Sequence, residues 1–399
     1  MGGTPSPIPR DVPSIVTGNR DPGGTVSQRI IADVQDEIHL YMPTSAPLTA
    51  LTAMLRKKRE TTQYAFDWLE KDEFPRTVEL AGAETSATTT LDVKTGQGDR
   101  VAANFILRNR RTGEQVLVTS VATDALTVVR AIGDTTGQDM LAGDQLDFLR
   151  AVYKDGATIG TLKSIKEDRQ YNYTEIIRTP FGFTGRQMNT DLYGGKDPLT
   201  EKKWHGIEHA KSIELAFLFG KRHTRTPDTI QSMTGGVEYF VKTNIWDLNS
   251  QKPTERAFVE YLEFAMKYGR GGSNERGGDA TKYLFCSRRW LTEIEFWAKD
   301  RIQYRNVDKR VGLKVGQYDT SHGTVMLVMD PILTDAYADY AFLLDLNHVR
   351  YAYHQGRDTK LLDNRQDPSL DGEQLEYMTD FGAQIELEAA HGVMKGLPI

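Results

Sequence analysis

The chain has a single cysteine in 399 residues, Cys286, so no internal disulfide and no cysteine-rich zinc module can form. That usage suits synthesis in a reducing cytosol. No apolar run approaches the ~18 residues that cross a membrane, and the first residues lack the apolar core of a secretory leader. Met1-Gly2-Gly3-Thr4-Pro5-Ser6 meets the loose myristoylation pattern, although Gly, Ser and Pro also make up any floppy terminus. Positive charge is in deficit: 49 Lys and Arg against 55 Asp and Glu give a net charge of −6. A dedicated nucleic-acid binder would carry a basic footprint instead. No repeat recurs at a fixed period, which excludes a solenoid or propeller. A G-x-S-x-G nucleophile elbow is also missing.

What remains is ordinary soluble composition, 39% apolar and 26% charged, long enough for two or three core-bearing units. Residues 1–45 carry prolines at 5, 7, 9, 13, 22 and 43 with little periodicity, and cannot bury enough apolar surface to fold alone. They form an arm that needs another surface. Leu48, Leu51 and Leu55 share one face of a helix expected over Pro47–Arg59. Its end, Arg56-Lys57-Lys58-Arg59, is the densest basic cluster, either a solvated helix end or a contact for a polyanion. Strands follow at Tyr64–Leu69 and Thr77–Leu80.

From Ala81 to about Tyr153 the composition turns to Thr, Val and Gly. Short strands are expected at Asn104–Arg110, Gln115–Val121, Ala125–Ala131 and Gln145–Ala151, split by turn residues. Four or five such strands make a small barrel or sandwich, inserted because the chain then resumes another style. Tyr171–Gly185 alternates as one long strand that should pair back with Tyr64–Leu69, leaving the insertion at the tip of a hairpin. The longest helix spans Asp197–His223, with Pro198 at its first turn and Gly220 as a stop. At ~1.5 Å per residue it runs roughly 33 Å. Amphipathic helices are expected over Thr254–Tyr268 and after Ser287. Strands are expected at Lys282–Cys286, Gly312–Tyr318, Gly323–Met329 and Tyr340–Leu344, then at Val349–Tyr353, Lys360–Leu362 and Gln374–Glu388. The glycine-rich stretch Gly269–Ala280 lacks the G-K-[ST] of a phosphate loop and reads as a surface loop.

One catalytic pattern stands out. His205, Glu208 and His209 spell H-x-x-E-H on the long helix, the inverted zincin signature. Positions i and i+4 share a face, so two imidazoles could hold one zinc ion while the carboxylate serves as base. Gly206 inside the motif, the lack of a third acidic ligand and the absence of a surrounding constellation argue instead for a polar helix face. Cys286 sits in an apolar strand as a buried, inert thiol. No catalytic, cofactor-binding or metal residue is assigned, no cofactor is expected, and the chain does not read as an enzyme.

The order of parts is more informative. Tyr171–Ile177, Ile213–Arg222, Gly316–Asp330, Phe342–Val349 and Ile385–Leu397 resemble, in turn, five parts of tailed-bacteriophage major capsid proteins of the Hong Kong 97 fold. These parts are the strand leaving the extended loop, the end of the spine helix, two axial-domain segments and the terminal strand. More narrowly, the chain resembles the subgroup that carries a β-domain inserted in the extended loop. The resemblance implies an α+β fold: an N-terminal arm (1–45), the start of a peripheral domain with one extended-loop strand (46–86) and the inserted β-domain (87–153). The returning strand and spine helix (154–230), an axial domain (231–346) and C-terminal strands rejoining the peripheral domain (347–399) complete it. It further implies a self-assembling icosahedral shell of hexamers and pentamers that encloses the phage genome. A chain opening at Met1 without a long helical prefix implies a separate scaffolding protein. Other expected partners are a portal protein, a decoration or cement protein and packaged DNA held non-specifically inside, with no membrane. Assembly would take place in the host cytoplasm, with the protein ending in the virion capsid. A decoration or tail component is the alternative within the virion, and the zinc hydrolase the alternative outside it.

Overall fold

The computed structural model describes residues 46–157, 163–190, 197–224, 231–268, 281–297, 302–306 and 314–398. The arm at 1–45, with its myristoylation pattern, and the glycine-rich stretch Gly269–Ala280 lie outside the described residues. The elements begin with α1 (Pro47–Met54), β1 (Lys58–Thr61), β2 (Ala65–Glu70), β3 (Thr77–Glu79), β4 (Thr90–Asp92), β5 (Phe105–Asn109) and β6 (Gln115–Ala122). They continue through β7 (Ala125–Val129), β8 (Gln145–Ala151), β9 (Asp168–Tyr173), β10 (Glu175–Thr184), α2 (Gly185–Met188), α3 (Asp197–Phe219) and α4 (Val237–Phe240). Next come β11 (Ile245–Asp247), α5 (Glu255–Ala265), β12 (Thr281–Cys286), α6 (Arg288–Trp297), β13 (Ile302–Asn306), β14 (Lys314–Thr320) and β15 (Gly323–Met329). The chain ends with β16 (Ala341–Leu344), β17 (Val349–His354), β18 (Lys360–Leu362), β19 (Gly372–Ile385) and β20 (Gly392–Lys395). Two units divide these elements: one takes Asp67–Tyr171, the other the chain up to Phe66 and from Asn172 onward.

The larger unit holds two sheets. The first runs β1-β17-β19-β10, with β18 also on β19. Ten residues of β10 pair antiparallel with β19, from Glu175 opposite Phe381 to Thr184 opposite Gly372. Pro180 is tolerated because β10 is an edge strand. The second sheet runs β11-β20-β16-β12-β15-β14-β13, mixing parallel and antiparallel pairs. Alternation along β12 explains why both its faces are covered. Phe285 joins the core formed with Leu48, Phe217, Phe342 and Phe381, while Leu284 and Cys286 join a second core with Phe258, Trp290 and Ile294 from α5 and α6. Thr254 and Ser287 start those two helices by accepting hydrogen bonds from the amides of Ala257 and Trp290, three residues on.

Three expectations need correction. The first helix stops at Met54 because Arg56 adopts φ 54, and Lys58–Thr61 then extends to pair parallel with β17. The basic cluster is consequently not a helix end. Lys58 pairs with Asp358 at 2.7 Å, Arg59 donates to Gln384 at 2.7 Å and Lys57 donates to Asn347 at 3.4 Å. Tyr171–Gly185 is two strands, broken at the buried Thr174, whose amide donates to Tyr64 O at 2.7 Å. Only the first part, β9, pairs with β2; β10 belongs to the first sheet of the larger unit. Third, the C-terminal strands divide between the sheets: β17 and β19 lie in the first, and the last strand, β20, pairs with β16 and β11 in the second.

The smaller unit is a closed β-barrel. Its six strands are ordered β3-β8-β5-β6-β7-β4, and the ring closes where Leu80 bridges Val93. The amide of Ala81 donates to Asp92 O at 2.8 Å and that of Lys94 to Glu79 O at 2.9 Å across this seam. Register shifts at Ile106/Leu107 and Val118/Ser120 supply the local bends that closure demands. Leu80, Leu91, Val116, Val118, Leu126 and Leu146 fill the interior. The expected four or five strands become six, since β4 is too short to stand out. β3 opens the barrel at Thr77, ahead of the boundary expected at 87.

A buried ion pair fixes the barrel's loops. Arg130 Nε and Nη2 reach Glu114 Oε1 and Oε2 at 2.7 Å each, and its remaining N–H groups donate to the carbonyls of Thr85, Thr88 and Gln138. Glu114 also accepts from the amides of Ala131 and Gln138 at 3.2 and 3.1 Å. Burial pushes its carboxyl up, but Arg130 and these amides outweigh burial and hold it below the usual carboxylate range. Removing one partner strands the other as a bare buried charge. Arg130→Met should therefore destabilise the barrel by about 3–5 kcal/mol, read as an earlier unfolding transition of the full chain by differential scanning calorimetry. A loss under about 1 kcal/mol would mean that water reaches Glu114.

Candidate functional site

Helix α3 is the element on which the larger unit converges. Ile213, Phe217 and Leu218 point into the main core beside Val349 and Phe381. Its end is set by close approach of backbones. The amide of Gly236 donates to Gly220 O at 2.7 Å, and a Cβ on Gly220 would lie 2.4 Å from Ala216 O and 2.6 Å from Thr234 O. Nothing larger than glycine fits there. The expected stop at Gly220 is thus where the helix ends, at Phe219.

The H-x-x-E-H residues do not converge. His209 is buried, with Nδ1 3.0 Å from Thr179 Oγ1 and Nε2 2.7 Å from Thr379 Oγ1, so both ring nitrogens are spent tying α3 to β10 and β19. Burial lowers its pKa. His205 stacks on Phe181 at 4.6 Å, with Nε2 3.3 Å from Glu201. Glu208 pairs with Lys211 at 2.9 Å. Among the described residues no group of three His, Cys, Asp or Glu side chains is placed to hold a metal ion. The expected polar face is therefore only partly right, since His209 is a satisfied core histidine. Gly206 does not loosen the helix either. It makes room for Tyr377, whose ring a Cβ there would meet at 3.3 Å and whose hydroxyl donates to Lys202 O at 3.0 Å.

The residue with most leverage on α3 is one that sequence reasoning missed. Glu214 is fully buried and accepts from the amides of Leu48 at 2.7 Å and Thr49 at 2.8 Å, and from the Thr49 hydroxyl. These amides are free first-turn donors of α1, and Ala46 ahead of them offers no side-chain cap. A glutamate 166 positions away does the work of an N-cap. Nearby Asp330 is also buried. Its Oδ1 accepts from Ile332 N at 2.9 Å, and Oδ2 has no partner among the described residues. Burial, and for Glu214 also the Asp330 charge, push both carboxyls above the ordinary range. Three donors favour a charged Glu214, whereas the bare Oδ2 makes Asp330 the better proton holder.

A second polar knot ties the other sheet. Lys282, fully buried on β12, donates through Nζ to the carbonyls of Ala265, Tyr268 at 3.0 Å and Ala390 at 2.6 Å. It thereby closes the C-terminal end of α5, and burial lowers its pKa to about 8. His391 accepts from Asp345 N at 3.3 Å and reaches Glu386 O at 3.0 Å through Nε2; burial pushes it down to about 3 and leaves it neutral. Cys286 is buried as expected, with burial raising its thiol pKa.

The size and sign of substitution effects follow from these hydrogen bonds. Glu214→Ala should strand two buried amides at about 1–3 kcal/mol and expose the segment around α1 to limited proteolysis. His209→Ala should cost a similar amount, and His205→Ala under about 1 kcal/mol, both by chemical denaturation. A raised carboxyl pKa stabilises below the ordinary carboxylate range of about 4, and that stabilisation fades as pH rises through the folded value. The wild type should therefore lose stability from about pH 4 towards neutrality at this site. Asp330→Asn should flatten that slope, and an unchanged slope in thermal melts would place the proton elsewhere.

The comparisons with known proteins accord with a structural role for this framework. The family model described as SU10 major capsid protein matches residues 15–398. No curated protein matches the chain. Among solved structures, the capsid of a native GTA particle is 9% identical at a TM-score of 0.48, covering 94% of this chain and 97% of that one. The Gordonia phage Cozz structure is 11% identical at 0.48, covering 94% and 92%. Mycobacterium phage Bobi gives 10% at 0.46, covering 95% and 99%. The chain itself is α+β, with a hairpin, an inserted barrel, the long helix α3 and two sheets. With a match running through the barrel, α3 and both sheets, the chain belongs to the SU10 major capsid protein family and is a shell-forming subunit of the virion capsid.

Proposed function

We propose that this subunit builds its shell from hexamers and pentamers of itself, acting as a structural protein and not as an enzyme. The observation that carries this reading is the span of the family match, residues 15–398. Heterologous contacts close into rings of five or six, and contacts between rings close the surface. Each subunit then buries more than the ~2,000 Å² of ordinary obligate interfaces. The barrel, the α3 region and the second sheet take the parts of extended-loop domain, peripheral domain and axial domain. A scaffolding protein, a portal protein and a cement protein are the partners this role calls for, with DNA held non-specifically inside and assembly in the host cytoplasm. A net charge of −6 suits DNA that must slide during packaging.

Purified full-length protein, alone and with a scaffolding protein, should form closed shells with five- and sixfold rings by negative-stain microscopy. Persistent monomers under every condition would refute the proposal. Replacing residues 71–167 with a short glycine-rich turn should leave the larger unit folded by circular dichroism while weakening shells against heat. Normal shells of normal stability from that variant would make the barrel an ornament.

A further inference from the structure

Lys58 and Arg59 of the basic run are spent on internal partners, and a second group of positive charges forms in the larger unit from segments distant in sequence. Lys221 after α3, Lys242 after α4 and Lys395 on β20 line one pocket of about 290 Å³. The buried Val241 and Val393 also line it, and Tyr239 forms part of its wall. Lys221 and Lys242 make no ion pair among the described residues, and Lys395 pairs only loosely with Asp247, at 3.8 Å with both side chains well exposed. Glu238, the acid of the pocket, accepts from the Tyr340 hydroxyl at 3.4 Å. The Tyr239 ring carries Lys242 Nζ at 5.8 Å and the Arg222 guanidinium at 5.1 Å from its centroid, adding positive charge at the rim. In a second pocket, lined by Lys252, Arg288 and Arg289, two of the three cations are engaged: Lys252 pairs with Glu293 at 2.9 Å and Arg289 donates to Pro398 O at 2.7 Å.

Lysines from three separate segments meet at one pocket, where Glu238 is in the lining and Glu388 accepts from the amides of Lys242 and Thr243, and a bound anion would reward gathering them. Lysines are point charges without the forked geometry that reads a planar group, so they suit a phosphodiester backbone bound without base specificity. We infer that Lys221, Lys242 and Lys395 form the docking point for the phosphate backbone of the enclosed DNA. The inference rests on the shell reading above and implies that this face of the subunit looks into the particle. Three lysines per subunit are few enough to keep binding labile, and the number of copies in a shell multiplies their effect.

The test uses dispersed full-length subunits and a labelled duplex, with binding followed by fluorescence anisotropy between about 50 and 200 mM salt. In the triple variant Lys221→Gln/Lys242→Gln/Lys395→Gln, the slope of log K against log salt should fall by about 2–3, near 0.9 for each phosphate left without its lysine. Lys252→Gln should leave the slope unchanged. A triple variant with the wild-type slope overturns the inference, and so does an equal fall in Lys252→Gln. A triple variant that binds DNA normally yet fails to assemble makes the pocket a joint between subunits and overturns it too. Binding is read before assembly, so a wild type that never forms shells would refute the shell partners without touching this comparison.

Discussion

A carboxylate withdrawn from water must be surrounded by donors or give up its charge, and Glu214 is surrounded by the start of another helix. The amides of Leu48 and Thr49 have no acceptor within α1, and among the described residues no cation pairs with Glu214; each meets the other's need. That exchange seats α1 on α3 and lets Leu48 and Leu51 enter the main core. Because α1 leads into β1, and β1 is the edge of the first sheet, the same interaction fixes where that sheet begins. Asp330, at the end of β15, brings the second sheet into the arrangement. One buried acid on the spine helix thus holds α1 directly and, through α1, the start of the first sheet, with Asp330 of the second sheet as an acidic neighbour.

The chain uses such polar knots where a secreted protein would use disulfides. Lys282 gathers three carbonyls from α5, its C-terminal turn and the loop before β20. In the barrel, Arg130 and Glu114 do the same for two loops. Each is satisfied donor for donor, which is what makes a buried charge tolerable and its removal costly. Directional bonds of this kind also specify one arrangement more sharply than apolar packing alone, a useful property in a subunit that must fit many identical neighbours.

Much of the fold was legible in the sequence because it is written in local periodicity. The spans of α3, α5, α6 and most barrel strands follow from apolar spacing, a capping Thr254 or Ser287 and stops such as Gly220. What could not be read depends on partners distant in sequence. Nothing near Glu214 marks it as the cap of a helix 166 residues earlier. H-x-x-E-H looks like chemistry because spacing shows a shared helix face, but not that Thr179 and Thr379 already occupy His209. The basic run at 56–59 stands out by being contiguous, whereas Lys221, Lys242 and Lys395 meet only in the folded chain. A glutamate in an otherwise apolar helix stretch, Ile213–Phe219, is the one available hint that something polar had to be met there.

The central claim is that α3, with α1 seated on it through Glu214, is the fixed frame of the shell subunit. A cryo-electron microscopy map of assembled particles at side-chain resolution tests it most directly. In every copy around the five- and sixfold rings, α3 should run unbroken from Asp197 to Phe219, with Glu214 against the amides of Leu48 and Thr49. Copies in which α1 has left Glu214, or in which α3 is bent or split, would contradict it.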